Sequence, residues 1–193
     1  MAPRWNHNIH YHRLVLDAVP SGARTALDIG CGEGMLAREL RTRVPQVTGI
    51  DLDGPGIALA REAGGGVEYV QGDAMTEPIG PFDLVACVAT LHHLDARAAL
   101  ARFADLVAPG GRLVVVGLAR SDGLVDAPRE AAAVLAHAVA VRRRGYWEHS
   151  APQVWPPPET YAGMRVIVRD VLPGATFRRH LYWRWSLVWE RPA

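Results

Sequence analysis

Apolar residues running into an acid, then glycines at every second position, leave a chain few ways to fold. Ala26-Leu27-Asp28-Ile29-Gly30-Cys31-Gly32-Glu33-Gly34 has this form. Met35 to Leu40 follows, with Leu36, Leu40 and Val44 at helical spacing. The stretch reads as strand, tight turn and helix. Glycine serves where backbone must bend sharply or let a ligand approach. The unpaired N–H groups that open the helix point at whatever sits over the turn. An ordinary strand-to-helix turn satisfies part of this pattern, so the spacing has to decide.

A dinucleotide-binding turn is spaced G-x-G-x-x-G. This one is spaced D-x-G-x-G-x-G, with the acid ahead of the first glycine. On Asp28, Gly30, Gly32 and Gly34 the chain resembles the class I S-adenosylmethionine-dependent methyltransferases, of the small-molecule, type 11-like kind. The resemblance implies that the turn holds the methionine end of the cofactor. It also implies that Asp28 holds the cofactor's ammonium, directly or through water.

Later stretches extend the pattern. Val47 to Asp51 is an apolar run ending in an acid. Asp53 can cap the next helix, and Pro55 suits its first turn. That leaves Asp51 to accept hydrogen bonds from a ribose diol, or to stand as a solvated strand-end acid. Gly64-Gly65-Gly66 ends the helix, and Val67 to Gln71 alternates like a strand. Asp73 at its tip matches the family's acceptor for the adenine amino group; a turn-forming Asp is the plainer reading. Met75 lies either on the adenine face or in the core. Pro81-Phe82-Asp83-Leu84-Val85 resembles the family's fourth strand, Phe82 to Val88, and Leu91-His92-His93-Leu94 follows it. A helix from Asp95 to Val107, a Pro109-Gly110-Gly111 turn and a strand from Arg112 to Leu118 complete the resemblance, which covers Thr25 to Leu118.

The resemblance implies a Rossmann-like α/β fold. Its seven-stranded, mostly parallel sheet has helices on both faces and an antiparallel C-terminal hairpin strand. The expected cofactor-binding residues are Tyr11, Asp28, Gly30, Cys31, Gly32, Gly34, Asp51, Leu52, Gly72, Asp73, Ala74 and Val88. Tyr11 or His10 would touch the cofactor carboxylate from a leading helix. His93 and His92 are the catalytic candidates, because ligands of open parallel sheets sit at the strands' C-terminal ends. Histidine also suits a base at neutral pH. His93 is preferred.

Beyond Leu118 the residues speak for themselves. Asp122 to Arg144 reads as a helix capped near Asp126-Ala127-Pro128. Ala131 to Val141 is apolar on nearly every side except at His137, so something should cover it. Residues 122–158 are read as a lid over the substrate site, with a core-facing or intermolecular helix as the alternative. Its loop carries Tyr146, Trp147, Glu148, His149 and Trp155 as candidate substrate contacts. Glu148 and His149 form a second possible catalytic pair. A helix from Glu159 to Val171 and two strands, Ala175–Tyr182 and Trp185–Glu190, follow.

With 193 residues, 49% hydrophobic, the chain is most simply one domain, led by a helical segment over residues 1–20. A net charge of +1 gathers neither nucleic acid nor anionic membrane. Two cysteines are too few for a disulfide framework and fit a reducing cytoplasm. Met1 to His12 is too polar for a signal peptide, and no run is long enough to span a membrane. His7, His10 and His12 do not form a familiar ligand set, so no metal is expected.

The function expected is methyl transfer from S-adenosylmethionine, leaving S-adenosylhomocysteine, to a small organic acceptor. Two alternatives are weighed. Arg142 to Arg144, Arg178, Arg179 and Arg184 interleave with Trp147, Tyr182, Trp183 and Trp185, which suggests a stacking-plus-phosphate surface for RNA or DNA. Cys87-Val88-Ala89-Thr90, however, lacks the Asn/Asp-Pro-Pro-aromatic motif of enzymes that methylate base amines. A silent cofactor-binding subunit is the other alternative.

Overall fold

The computed structural model describes residues 4–148 and 155–193. Seven strands form one sheet: β1 Thr25–Ile29, β2 Gln46–Asp51, β3 Glu68–Gln71, β4 Phe82–Val88, β5 Val107–Leu118, β6 Thr176–Arg179 and β7 Arg184–Glu190. Their order is β3-β2-β1-β4-β5-β7-β6. The first five are parallel; β7 runs antiparallel to both β5 and β6. The expected Rossmann-like sheet with its antiparallel hairpin is therefore present.

Strand residues alternate between two cores, as a period of two requires. Leu27, Val85, Cys87, Leu113 and Val115 face one cluster, and Ala26, Leu84, Ala86, Val114 and Val116 face the other. The described α-helices are α1 His7–His10, α2 His12–Asp17, α3 Met35–Arg41, α4 Gly54–Ala63, α5 Ala96–Asp105, α6 Ala127–Arg144 and α7 Tyr161–Val171. Leu100 and Phe103 of α5 pack on the first face beside Met164 and Val168 of α7. Leu36 and Leu40 of α3 pack on the second with Ile57 of α4 and Val15 of α2. Met75 packs against the first cluster, which decides its role as core.

Caps set most helix starts. Asp53 accepts from Gly56 N (3.1 Å), as expected, and Asp95 from Ala98 N (2.8 Å). Asn6 accepts from Asn8 N and Ile9 N, so the leading helical segment begins at His7. Asp83 secures the edge of β4 by accepting from Arg24 N, Thr25 N and the Thr25 hydroxyl.

Three further expectations are corrected. Pro109-Gly110-Gly111 is a bulge inside β5, because Phe82 pairs with Val107 and Leu84 already pairs with Arg112. The hairpin turns earlier than expected: β6 ends at Arg179, Tyr182 and Trp183 both take positive φ, and Arg184 begins β7. Along α6, Ala133 and Ala140 are buried, whereas Val134 and Leu135 are 56% and 67% exposed. The helix is thus covered on one face only among the described residues. No helix among the described residues is long and apolar enough to cross a membrane.

Candidate functional site

Parallel strands leave a crevice beyond their C-terminal ends, with loops on either side. Here it is a cavity of about 710 Å³. Asp28, Gly30, Cys31 and Gly32 line it from the β1 end, and Asp51 and Leu52 from the β2 end. Gly72, Asp73 and Ala74 line it beyond β3, and Val88 at the end of β4. His92 and His93 stand at the next loop, and Tyr146, Trp147 and Trp155 on the far side.

The turn after β1 is held open by conformation and by a neighbour's carboxylate. Gly30, Gly32 and Gly34 all take positive φ. A Cβ on Gly32 would meet nothing within 4 Å, so this backbone borders open space. Asp51 pins the turn: Oδ2 accepts from Gly32 N at 2.7 Å and Oδ1 from Asp53 N at 2.9 Å. Asp73 accepts from Met75 N at 2.9 Å while also bordering the cavity, so its turn-forming role and a ligand-facing position coexist.

Asp28 is the electrostatic centre. It is 2% exposed, and its Oδ2 has no hydrogen-bond partner among the described residues. Burial pushes its pKa up to about 7; Asp51 and Glu39 add to the rise, while His12 and the Ala37 backbone N–H oppose it. A cation brought against Oδ2 would satisfy both the charge and the orphaned acceptor. The thiols are not nucleophiles here: both cysteines are free and buried, and burial raises Cys31 and pushes Cys87 up to about 12.

The two histidines differ. His92 has a buried, unpartnered Nδ1, and burial, with His93 and Arg184 adding to it, pushes its pKa down to about 4. It is neutral at physiological pH. His93 is exposed and also borders the cavity. Leu91 is fully buried and Leu94 packs against the core, so both anchor the segment.

Four expected site residues fall outside the cavity wall. Tyr11 lies outside the cavity wall because its hydroxyl donates to Leu181 O at 2.7 Å. Gly34 lies outside as well; a Cβ there would collide with the Tyr69 hydroxyl, so the glycine permits close packing under the turn. His10, offered with Tyr11, packs edge-on to Tyr11 and Tyr182 and does not reach the wall. Glu148 is exposed and away from the cavity. His149 lies outside the described residues.

The wall also contains residues that the sequence reading missed. His12 borders it, with Nδ1 at 3.2 Å from Glu39 Oε1. Asn8, His7, Trp183 and Arg184 close the other side. The supposed nucleic-acid surface is not continuous: Arg184 is 7% exposed, Tyr182 9% and Trp185 0%, and Arg179 is ion-paired to Asp126 at 2.6 Å, while Arg142, Arg143, Arg144 and Arg178 are exposed. Among the described residues, no group of three or more His, Cys, Asp or Glu is arranged to hold a metal.

A glycine turn and three strand-end acids facing one cavity define a cofactor-dependent transferase of the Rossmann-like class. The chain belongs to the methyltransferases. Residues 27–115 match the methyltransferase-domain family. An uncharacterized methyltransferase of Mycobacterium tuberculosis is 43% identical over 193 residues, 97% of this chain and 98% of its own length. A ubiquinone biosynthesis O-methyltransferase of Xylella fastidiosa is 41% identical over 109 residues, 52% of this chain and 44% of that protein. In fold, the chain resembles the N-methyltransferase NodS of Bradyrhizobium japonicum, crystallised with S-adenosylhomocysteine. The TM-score is 0.65 at 18% identity, covering 96% of this chain and 87% of that one.

Asp28 makes the ligand-free protein pH-sensitive in a defined direction. A carboxyl whose folded pKa is raised destabilises the fold when it ionises, so stability falls as pH rises from about 4 to about 7. Asp28→Asn should therefore raise the melting temperature by several degrees at about pH 8 and by much less at about pH 5. Scanning calorimetry at both pH values checks this; an equal shift at both would show that Asp28 is not ionising in that window.

Proposed function

We propose that the protein transfers a methyl group from S-adenosylmethionine to a small organic acceptor. The observation that carries this reading is Asp28, a buried carboxylate with an unmet oxygen at the end of β1. An α-ammonium is the cation that fits this place above a glycine turn. Asp51 then accepts from the ribose hydroxyls, using lone pairs left over from its two backbone bonds. Asp73 accepts from the adenine amino group, with Leu52 and Ala74 as apolar walls beside the ring. Gly30, Cys31 and Gly32 let the methionine end approach the backbone, and Val88 borders the same space. The cofactor supplies a methyl on a sulfonium, an electrophile for in-line displacement.

The chain's own work is alignment, exclusion of water and proton removal. The acceptor is held beyond β4, between the His92-His93 turn and Tyr146, Trp147 and Trp155. His93 takes the proton when the acceptor is a hydroxyl or an ammonium. It is the exposed member of the pair, while His92 is held neutral in the wall. The described residues 122–148 and 155–158 act as the lid over this half, with Tyr146 and Trp147 as its inner surface. The proteins similar to this chain include an O- and an N-methyltransferase by name, which supports a small-molecule acceptor and leaves the receiving atom open.

S-adenosylhomocysteine should bind stoichiometrically by calorimetry, and NAD should not. Asp51→Ala should weaken that binding about ten- to a hundredfold, the worth of a charge-assisted hydrogen bond, in a protein that remains folded. Tight NAD binding without S-adenosylhomocysteine binding would refute the reading. An unchanged affinity in the variant would return Asp51 to a purely structural role.

Once an acceptor is in hand, His93→Ala should lower turnover about a hundred- to ten-thousandfold with cofactor affinity near normal. Wild-type turnover across about pH 6 to 9, a span either side of imidazole's usual pKa, would place the base elsewhere.

A further inference from the structure

Arg184 is a buried cation of the cavity wall, and no carboxylate among the described residues pairs with it. It is 7% exposed, it begins β7, and it borders the cavity. Its donors meet only neutral acceptors: Nη1 donates to Tyr182 O at 3.0 Å and Nη2 to Asn8 Oδ1 at 2.7 Å. Its Nε is buried without a partner among the described residues. Burial pushes its pKa down to about 10, which still leaves it charged at neutral pH. The residues outside the described ones, 1–3 and 149–154, contain no Asp or Glu, so they cannot bring a carboxylate to it. A buried charge without a counter-charge is costly unless a ligand supplies one.

The cavity's charges are segregated. Its acidic wall residues are Asp28, Glu33, Asp51, Asp53 and Asp73, from the turn after β1 and the ends of β2 and β3. Arg184 pairs with Leu118 across the β5–β7 ladder, and β7 is three strands from β1. At roughly 4.8 Å per strand that is a separation of about 14 Å. Around Arg184 stand Asn8, His7, Trp183 and Tyr146, with no acid among the wall residues there. His7, which stacks on Tyr182, is held neutral by burial and by Arg184, its pKa pushed down to about 3.

Resting on the methyl-transfer reading, we propose that Arg184 anchors an anionic group of the acceptor, so that the substrate is a small organic acid with a carboxylate or phosphate set against this guanidinium. The aromatic side chains beside it take the acid's apolar body. Arginine suits the task because its planar fork matches the oxygens of either anion. Asn8 positions that fork and leaves the charge for the ligand.

The test uses the full chain and matched probes: benzoate against benzamide, hexanoate against hexanamide, and phenyl phosphate against phenol. Each is titrated with and without S-adenosylhomocysteine. At least one acid should bind about ten- to a hundredfold tighter than its neutral partner, and the carboxylate and phosphate arms show which anion is preferred. Arg184→Gln should abolish the preference. Because that variant can also disturb the buried turn, Asn8→Asp is the second one. It places a carboxylate against Nη2, should fold at least as stably as wild type, and should abolish the preference from within. Affinity for S-adenosylhomocysteine should stay within about threefold of wild type in Asn8→Asp, well inside the worth of one charge-assisted hydrogen bond. No preference in any pair, a preference that survives in a folded Asn8→Asp protein, or a large loss of S-adenosylhomocysteine binding there would overturn the proposal. Failure of the wild-type protein to bind S-adenosylhomocysteine, with the acid preference intact, would instead strike the methyl-transfer reading and leave the anion site standing.

Discussion

A carboxylate without a full set of partners, sealed at the end of a central strand, is the constraint around which the site is built. Asp28 lies on β1, between β2 and β4, where water does not reach its Oδ2. Exposure would relieve it, and so would a cation. The fold prevents the first and sets Asp28 at the border of the cavity from which the second would come. Gly30 and Gly32 carry the backbone away from the strand end in conformations that other residues resist. Asp51 ties that turn to β2, so the space above Asp28 has a fixed floor. The strain of an unmet acceptor is thus held by ordinary sheet packing on both faces.

Sheet order then divides the cavity. The strands on one side of the β1–β4 junction end in acids, and those on the other lead to histidines, aromatic residues and one arginine. This follows from topology. The chain first builds outwards from β1 through β2 to β3, then crosses back to β4, β5 and the hairpin. The two directions of growth give the two halves their different chemistry. One half suits a zwitterionic cofactor rich in hydroxyl and amino donors, and the other a ligand with an apolar body. The methyl transfer proposed above would take place where they meet, beside the loop after β4.

What the sequence made legible was local. The glycine turn, the Asp53 cap, the alternating strands and the Phe82–Val88 strand each depend on residues close together in the chain, and each is present. The candidate residues on the strand ends reach the cavity for the same reason. What stayed hidden was set by contacts across the chain. Tyr11 and His12 are neighbours, but one position on a helix turns a side chain by about 100°. The Leu181 carbonyl takes the tyrosine and leaves the histidine facing the cavity. Arg184 read as part of a basic surface because its neighbours are basic and aromatic. The antiparallel pairing of β7 with β5 brings it to the cavity, where Asn8, 176 positions away, and the Tyr182 carbonyl hold its guanidinium. The cover on α6 depends on surfaces of the same kind, which is why its apolar pattern alone could not say which face is buried.

The central claim is that Asp28 waits for an ammonium, and proton linkage tests it directly. Calorimetric titration with S-adenosylhomocysteine, repeated in buffers of different ionisation enthalpy, counts the protons exchanged on binding. With a free-protein value of about 7 that falls well below the working pH on pairing, the account predicts release of about three-quarters of a proton at about pH 6.5. That release should vanish in Asp28→Asn. Binding of wild type with no proton release, or the same release in the variant, would show that Asp28 does not meet the cofactor's charge.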